Sequence, residues 1–318
     1  MCYNMRKRGG GSEVLMPTAA LFSKEVCETM KKLIAAVLSV ALLAVSAFAF
    51  AACGKGFSNV KVFDSKDFEL TSEGYAFCVN KNQTELLASA NELLDEITAD
   101  GTLDDIINSF FDGTSEFTYT NPAGGIPTDH DEYLVVATNA EFPPFEYTSG
   151  NAFTGIDIQI ASLLAEKLDK TLYVADMAFD SVIVTVQTGT TAHIGMAGIT
   201  VNDERKQQVD FTDVYYESAQ VLITREDDTL FTDCKNADDI IAVLQEQDES
   251  FIVGAQNGTT GYMYSAGDEG FGYDGFTNLT TKGYTAGALA VQDLANGRIN
   301  AVIIDKQPAL MIAESVNK

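Results

Sequence analysis

IGMAGITVNDERKQQVDFTDVYY, residues 194–216, is the stretch whose reading decides the fold. A short apolar strand, Ile194 to Ala197, runs into Gly198, Ile199 and Thr200, and a polar turn then delivers Glu204 and Arg205. Gly198 has no side chain to hold a ligand away from its backbone. Thr200 offers a hydroxyl and an N–H in the same turn, and Arg205 carries a planar fork of donors suited to a carboxylate. Together they read as an anion clip. The alternative is an ordinary strand–turn–helix with a surface arginine, and the flanking sequence has to decide.

On the upstream side, LVVATN (134–139) reads as a buried strand, and EFPPFEYTSG (141–150) as an aromatic turn. A helix follows Gly155 with Ile156, Ile160, Leu163, Leu164 and Leu168 at helical spacing. Next come a strand (TLYVADM, 171–177) and a helix (SVIVTVQTG, 181–189). Downstream, the pattern continues as strand 220–225, helix 237–246, strand 251–255, a QNGTTG turn (256–261) opening a helix, strand 277–281, helix 285–296, strand 299–304 and helix 308–316. Strand–helix alternation of this kind predicts a parallel sheet with helices on both faces, and ligand-facing positions at strand C-termini.

Ahead of these, residues 57–82 read as extended. A helix from Thr84 presents Leu86, Leu87, Ala90, Leu93, Leu94 and Ile97 on one face. Thr102 is expected to cap a second helix with Leu103, Ile106, Ile107, Phe110 and Phe111 as its stripe. Residues 113–129 form a polar Gly/Pro linker.

Composition narrows the function. The 318 residues carry 46 acidic against 20 basic side chains, a net charge of −26, which argues against a nucleic-acid partner recruited by charge. There are only two histidines, His130 and His193, and no Cys/His cluster, so neither metal nor cofactor is expected. From Met30 the chain reads MKKLIAAVLSVALLAVSAFAFAACGKG: two lysines, an apolar run of secretory length, then small residues before Cys53. This is similar to a bacterial lipoprotein signal over residues 30–52 with Cys53 as the lipidated residue, although Phe50 stands where leucine is usual. A transmembrane anchor is the alternative. Lys24-Glu25-Val26 can be encoded by a ribosome-binding sequence, so Met30 is the expected natural start and residues 1–29 an upstream extension. Residues 1–52 hold six basic and three acidic residues, so the remainder is more acidic still, 43 against 14. Cys78 and Cys234 are expected to be separate buried thiols.

VATNAEFPPFEY (136–147), GIDIQIASLLAEKL (155–168), MAFDSVIVTVQTG (177–189), GMAGITVNDERKQQVDFTDVYY (195–216), GAQNGTTG (254–261) and INAVIIDKQPA (299–309) together resemble the extracellular solute-binding proteins of ABC importers for polar amino acids, the glutamine-binding-like type. The resemblance implies an α/β fold of two Rossmann-like lobes with a two-strand hinge (periplasmic-binding-protein type II) and hinge closure on one amino acid. It implies that Arg205 binds the ligand α-carboxylate with the N–H groups of Thr200 and Thr260, and that Asp305 binds the α-ammonium near the Gly198 carbonyl. Thr259 is counted with Thr260 among the ligand-binding residues, and Phe142 and Phe179 would sandwich the side chain. Asn139, Glu141 and Gln256 would read its far end. Asn139, uncharged where relatives that take cationic or amide ligands often carry aspartate, supplies no charge to offset a buried cation and directs the expectation to a neutral polar L-amino acid such as glutamine, with arginine or lysine second. The implied partners are an ABC permease with its ATPase and, through lipid, the outer face of the cytoplasmic membrane; the binder itself would be a monomer and not an enzyme. Small dehydratases and cell-wall lyases share this fold, as do sensor modules, and they remain alternatives.

One feature departs from the family. Its members continue past the helix matching 308–316 with a strand, a hinge crossing and two terminal helices, whereas residues 60–112 look like that piece placed in front. The expectation is a circular permutation, with a continuous lobe over 75–217 and a split lobe formed by 57–74 plus 218–318. The 113–129 linker, about 55 Å when extended, would rejoin the old ends. A relic of tandem duplication is the alternative.

Overall fold

Tyr133–Thr138 heads the first of two five-stranded sheets, and both sheets draw strands from residues far apart in sequence. The computed structural model describes residues 56–318, and residues 55–318 form one compact unit. The leader, Cys53 and the Met30 start lie outside the described residues. In chain order the elements begin with Val60–Val62 (β1), Glu73–Tyr75 (β2), Cys78–Val79 (β3), Thr84–Ala99 (α1) and Thr102–Phe111 (α2). After residues 113–132 come Tyr133–Thr138 (β4), Glu141–Phe142 (β5), Glu146–Ser149 (β6), Ala152–Thr154 (β7), Ile156–Lys167 (α3), Thr171–Asp176 (β8), Phe179–Thr188 (α4), Ile194–Gly195 (β9), Asp203–Gln208 (α5) and Asp210–Phe211 (β10). The remainder is Tyr216–Ser218 (β11), Gln220–Arg225 (β12), Ala237–Gln245 (α6), Ile252–Gln256 (β13), Thr260–Ala266 (α7), Thr280–Tyr284 (β14), Gly287–Ala295 (α8), Ala301–Asp305 (β15) and Lys306–Val316 (α9).

One sheet has the order β10-β3-β9-β4-β8 and the other β1-β12-β15-β13-β14. β4 is parallel to β8 and β9, and β13 is parallel to β14 and β15. β3 and β12 run antiparallel to the neighbours that join them to those parallel cores. The sheets are therefore mixed rather than wholly parallel. Between them, β2 and β11 pair antiparallel as a two-stranded crossing. The chain is an α/β protein of two lobes joined at that crossing.

Residues 57–112 are built into this framework. β1 is an edge strand on β12, β2 is half of the crossing, and β3 lies inside the first sheet between β10 and β9. α1 buries Ala90, Leu93, Leu94 and Ile97, and α2 buries Leu103, Ile106 and Phe110; both pack on α3. The first strand and the end of the last helix meet: Val60 N donates to Asn317 Oδ1 at 2.9 Å while Asn317 Nδ2 donates to Val60 O at 2.8 Å.

Several local expectations change. The extended reading of 57–82 holds only in three short strands, with a 3-10 turn at Lys66–Phe68 between the first two. Thr102 is the first residue of α2 rather than its cap, and its N–H donates to Asp100 Oδ1 at 2.9 Å; Gly101, at φ +86°, makes the turn. The 113–129 linker is fastened rather than loose. Asn121 exchanges both amide hydrogen bonds with Val174 on edge strand β8, at 2.8 Å each, and Tyr119 pairs with Phe153. An amide side chain here supplies the donor and acceptor that an extra strand would have offered. The aromatic turn at 141–150 belongs to a small three-stranded meander, β5-β6-β7. Cys78 is buried and unpaired, as expected, whereas Cys234 is unpaired but only partly buried.

Candidate functional site

Strand ends converge in the gap between the lobes. β4 ends just before Asn139, β5 carries Phe142, and α4 opens on Phe179. β9 leads to Gly198 and Thr200, and α5 starts at the Asn202 cap, whose side chain accepts from Arg205 N at 2.7 Å. From the other sheet, β13 ends on Gln256, Thr259 caps α7, Thr260 opens it, and β15 ends on Asp305. Phe142, Phe179, Gly198, Thr200, Arg205, Gln256, Thr259, Thr260 and Asp305 line one tight cavity of about 10 Å³. A roomier hollow of about 370 Å³ lies elsewhere, beside His130, His193 and the first turn of α1. It contains no opposed acid–base pair deep in the protein, so the cleft is the chemically equipped site.

Arg205 is only 6% exposed. Its Nη1 donates to Thr200 O at 2.7 Å, and its Nη2 crosses to Gly258 O at 3.0 Å. Burial draws its pKa down, opposed by the carboxylate of Glu73; a guanidinium stays charged regardless. Phe179 and Phe271 flank it, with ring centroids 5.7 and 5.0 Å from Cζ. Asp305 occupies the cap position of α9, yet its side chain makes no cap hydrogen bond. Tyr75 OH donates to Asp305 Oδ1 instead. Burial, reinforced by the charge of Glu73, raises Asp305 to about 7, and the Tyr75 hydroxyl works against that rise.

Gly198 has φ +53°, and a Cβ there would come 3.0 Å from the Phe142 ring, so both conformation and space call for glycine. Its N–H donates to Asp157 Oδ2 at 2.9 Å, and Tyr215 OH donates to Asp157 Oδ1 at 2.5 Å. That buried carboxylate fixes the peptide forming the cavity wall.

The far end differs from expectation in one respect. Asn139 does not line the cavity; it stands one hydrogen bond behind, its Oδ1 accepting from Gln256 Nε2 at 2.8 Å and its Nδ2 donating to Met177 O at 2.9 Å. Glu141 is exposed. Two residues that hold lining side chains from behind, Glu73 and Tyr75, come from a segment expected to have no ligand role. Thr200 Oγ1 donates to Glu73 Oε2 at 2.7 Å and receives Thr260 Oγ1 at 3.1 Å. Thr71 Oγ1 donates to Glu73 Oε1 at 2.6 Å. Glu73 is 4% exposed and Tyr75 fully buried, both on one face of β2. The period-2 spacing of a carboxylate and a phenol across Gly74 is the signal that could have marked them. Because the Thr200 hydroxyl spends its hydrogen on Glu73, its oxygen is left to accept.

The model of the bacterial extracellular solute-binding proteins, family 3, matches residues 134–306. The arginine-binding extracellular protein ArtP of Bacillus subtilis (strain 168) is 36% identical over 94 residues, 30% of this chain and 36% of its own length. The ABC transporter arginine-binding protein 1 of Escherichia coli (strain K12) is 29% identical over 176 residues, 55% of this chain and 63% of its own length. The match thus spans less than two thirds of each relative. Among solved structures, the ancestral amino acid-binding protein AncCDT-1, a precursor of cyclohexadienyl dehydratase, is 26% identical with a TM-score of 0.49, covering 67% of this chain and 78% of that one. With more than half its length matched by the family model, over the stretch that builds most of the cleft, the chain belongs to the bacterial extracellular solute-binding proteins, family 3.

Proposed function

We propose that the cleft binds one polar L-amino acid, and that the chain is the substrate-binding component of an ABC importer. The observation that carries this reading is a buried arginine and a buried aspartate in one small cavity, contributed by different lobes. The Arg205 fork suits an α-carboxylate, joined by the backbone N–H groups of Thr200 and Thr260. Asp305, with the acceptor oxygen of Thr200, suits an α-ammonium. Phe142 and Phe179 supply apolar walls, and Thr259 closes the turn beside Thr260. The Gln256–Asn139 amide pair leaves the far end polar but uncharged, which favours a neutral polar ligand such as glutamine. A cationic ligand is the second reading. Glu73 adds a second acid near a single cation, Arg205, and a ligand with an extra positive charge would balance it. Calorimetry against the L-amino acids separates the two: glutamine-like ligands should bind tightly. Tight arginine or lysine binding with no neutral ligand would instead select the second reading.

Cys53, after residues 30–52, is the proposed lipid attachment point, tethering the protein on the outer face of the cytoplasmic membrane and close to its permease and ATPase. A diacylglyceryl group supplies the two chains that stable anchoring requires. Cys53→Ala protein should be released from membranes; uncleaved protein that still sediments with them would support a spanning helix instead.

The order of elements is a circular permutation on this reading, with lobes 75–217 and 57–74 plus 218–318. It is supported by the hydrogen-bonded meeting of Val60 with Asn317, where a few residues would rejoin Lys318 to the start of β1. Surface termini of this kind are tolerated when little buried backbone is cut.

A further inference from the structure

We propose that Phe271, carried by the Asp305 lobe, is a positioning residue for Arg205, and that retention of the ligand depends on it. This rests on the amino-acid reading of the cleft. Phe271 sits at the tip of a short strap. Asp268 and Tyr273 exchange backbone hydrogen bonds at 2.8 and 3.0 Å, and Phe271 N donates to Asp268 Oδ1 at 3.1 Å. Tyr273 packs edge-on against Tyr264 of α7 at 5.2 Å, which fixes the strap to its own lobe. The strap then crosses to the other lobe. Gly270 lies against the first turn of α5: a Cβ there would fall 2.3 Å from Glu204 Oε2, the end of an exposed side chain that would have to turn aside. The approach brings the Phe271 ring to 5.0 Å from the Arg205 Cζ, while Phe179 of Arg205's own lobe stands at 5.7 Å.

Aromatic rings against a buried guanidinium attract it electrostatically and hold its plane, leaving its N–H edge for a carboxylate. Phe179 travels with Arg205 and is present whether the lobes are open or closed. Phe271 belongs to the opposite lobe, as does Gly258, whose carbonyl takes an Arg205 N–H. Separating the lobes must break both contacts. Their free energy is therefore added to the closed state alone, and it governs release of the ligand more than its capture.

The test compares Phe271→Ala, Phe271→Leu and Phe271→Tyr with the unaltered protein by stopped-flow association and dissociation of L-glutamine and of L-arginine. Alanine and leucine should each speed dissociation about tenfold, the effect of one partly buried cation–ring contact, with association within about twofold. Tyrosine should restore the slow rate. Unchanged dissociation in the alanine variant overturns the proposal, and so does leucine matching phenylalanine, since apolar cover would then suffice. A second readout needs no ligand: phenylglyoxal modification of Arg205, mapped by mass spectrometry, should be faster in the alanine and leucine variants than in the unaltered protein and the tyrosine variant. If neither these two nor any other L-amino acid binds the unaltered protein, the amino-acid reading of the cleft fails. Equal Arg205 reactivity in all four proteins would then overturn the strap as well, and the expected pattern would uphold it.

Discussion

Arg205→Ala is expected to weaken binding of the cleft's L-amino acid by between about thirtyfold and several thousandfold. Truncating one member of a buried charged contact costs roughly 2–5 kcal/mol, much of it the penalty of leaving the partner charge unpaired. Here that partner is the ligand carboxylate, in a cavity whose other charged wall is acidic. The variant should still fold. Arg205 makes two hydrogen bonds to backbone carbonyls, of Thr200 and Gly258, in a short helix near the cleft, and does not sit within a sheet. Titration calorimetry gives the affinity and circular dichroism the fold. A folded variant that binds within about threefold of the unaltered protein would remove Arg205 from the ligand site.

Deleting residues 57–112 is expected to abolish soluble folded protein. The segment contributes Tyr75, Phe77, Val79, Leu93, Leu94, Ile97, Leu103, Ile106 and Phe110 to one buried cluster. Burying each such side chain is worth about 1.5–3 kcal/mol as an upper estimate. Several together match the roughly 5–15 kcal/mol by which a whole domain is stable. The deletion also removes β3 from inside its sheet, leaving the facing edges of β9 and β10 unpaired. A permutation accounts for this dependence, whereas a duplication relic would be dispensable. Soluble protein that still binds an amino acid after the deletion would contradict the permutation. Joining Lys318 to residue 57 through a short linker and opening the chain within 113–129 should, conversely, preserve folding and binding.

What could be read in advance follows from how local each cause is. β12 lies over 220–225 as read, because QVLITR is a continuous β-prone run. The apolar face of α1 is equally plain from its spacing. β14 falls at Thr280–Tyr284 rather than 277–281. It is a polar edge strand, TTKGY, whose pairing to β13 sets its position without any apolar alternation to announce it. The docking of 113–129 through Asn121 is invisible in composition, because one amide carries it. In the cleft, the motif residues Arg205, Thr200, Gly198 and Asp305 sit at strand and helix ends, where chain direction alone brings them together. Glu73 and Tyr75 could be placed only once β2 was known to pass behind Asp305, which Tyr75 reaches across 230 residues. That Asn139 stands behind Gln256 rather than on the cavity wall was not legible, since it depends on how the lobes close.

The claim on which the rest depends is that the cleft recognises the α-carboxylate and α-ammonium of a free amino acid together. Calorimetric titration of the unaltered protein tests it most directly, using the L-amino acids and, for any that binds, its α-amide and its des-amino analogue. One-site binding of a polar L-amino acid, lost when either α-group is removed, is the predicted result. Equal binding of the analogues, or binding of a sugar or peptide with no free amino acid bound, would contradict it.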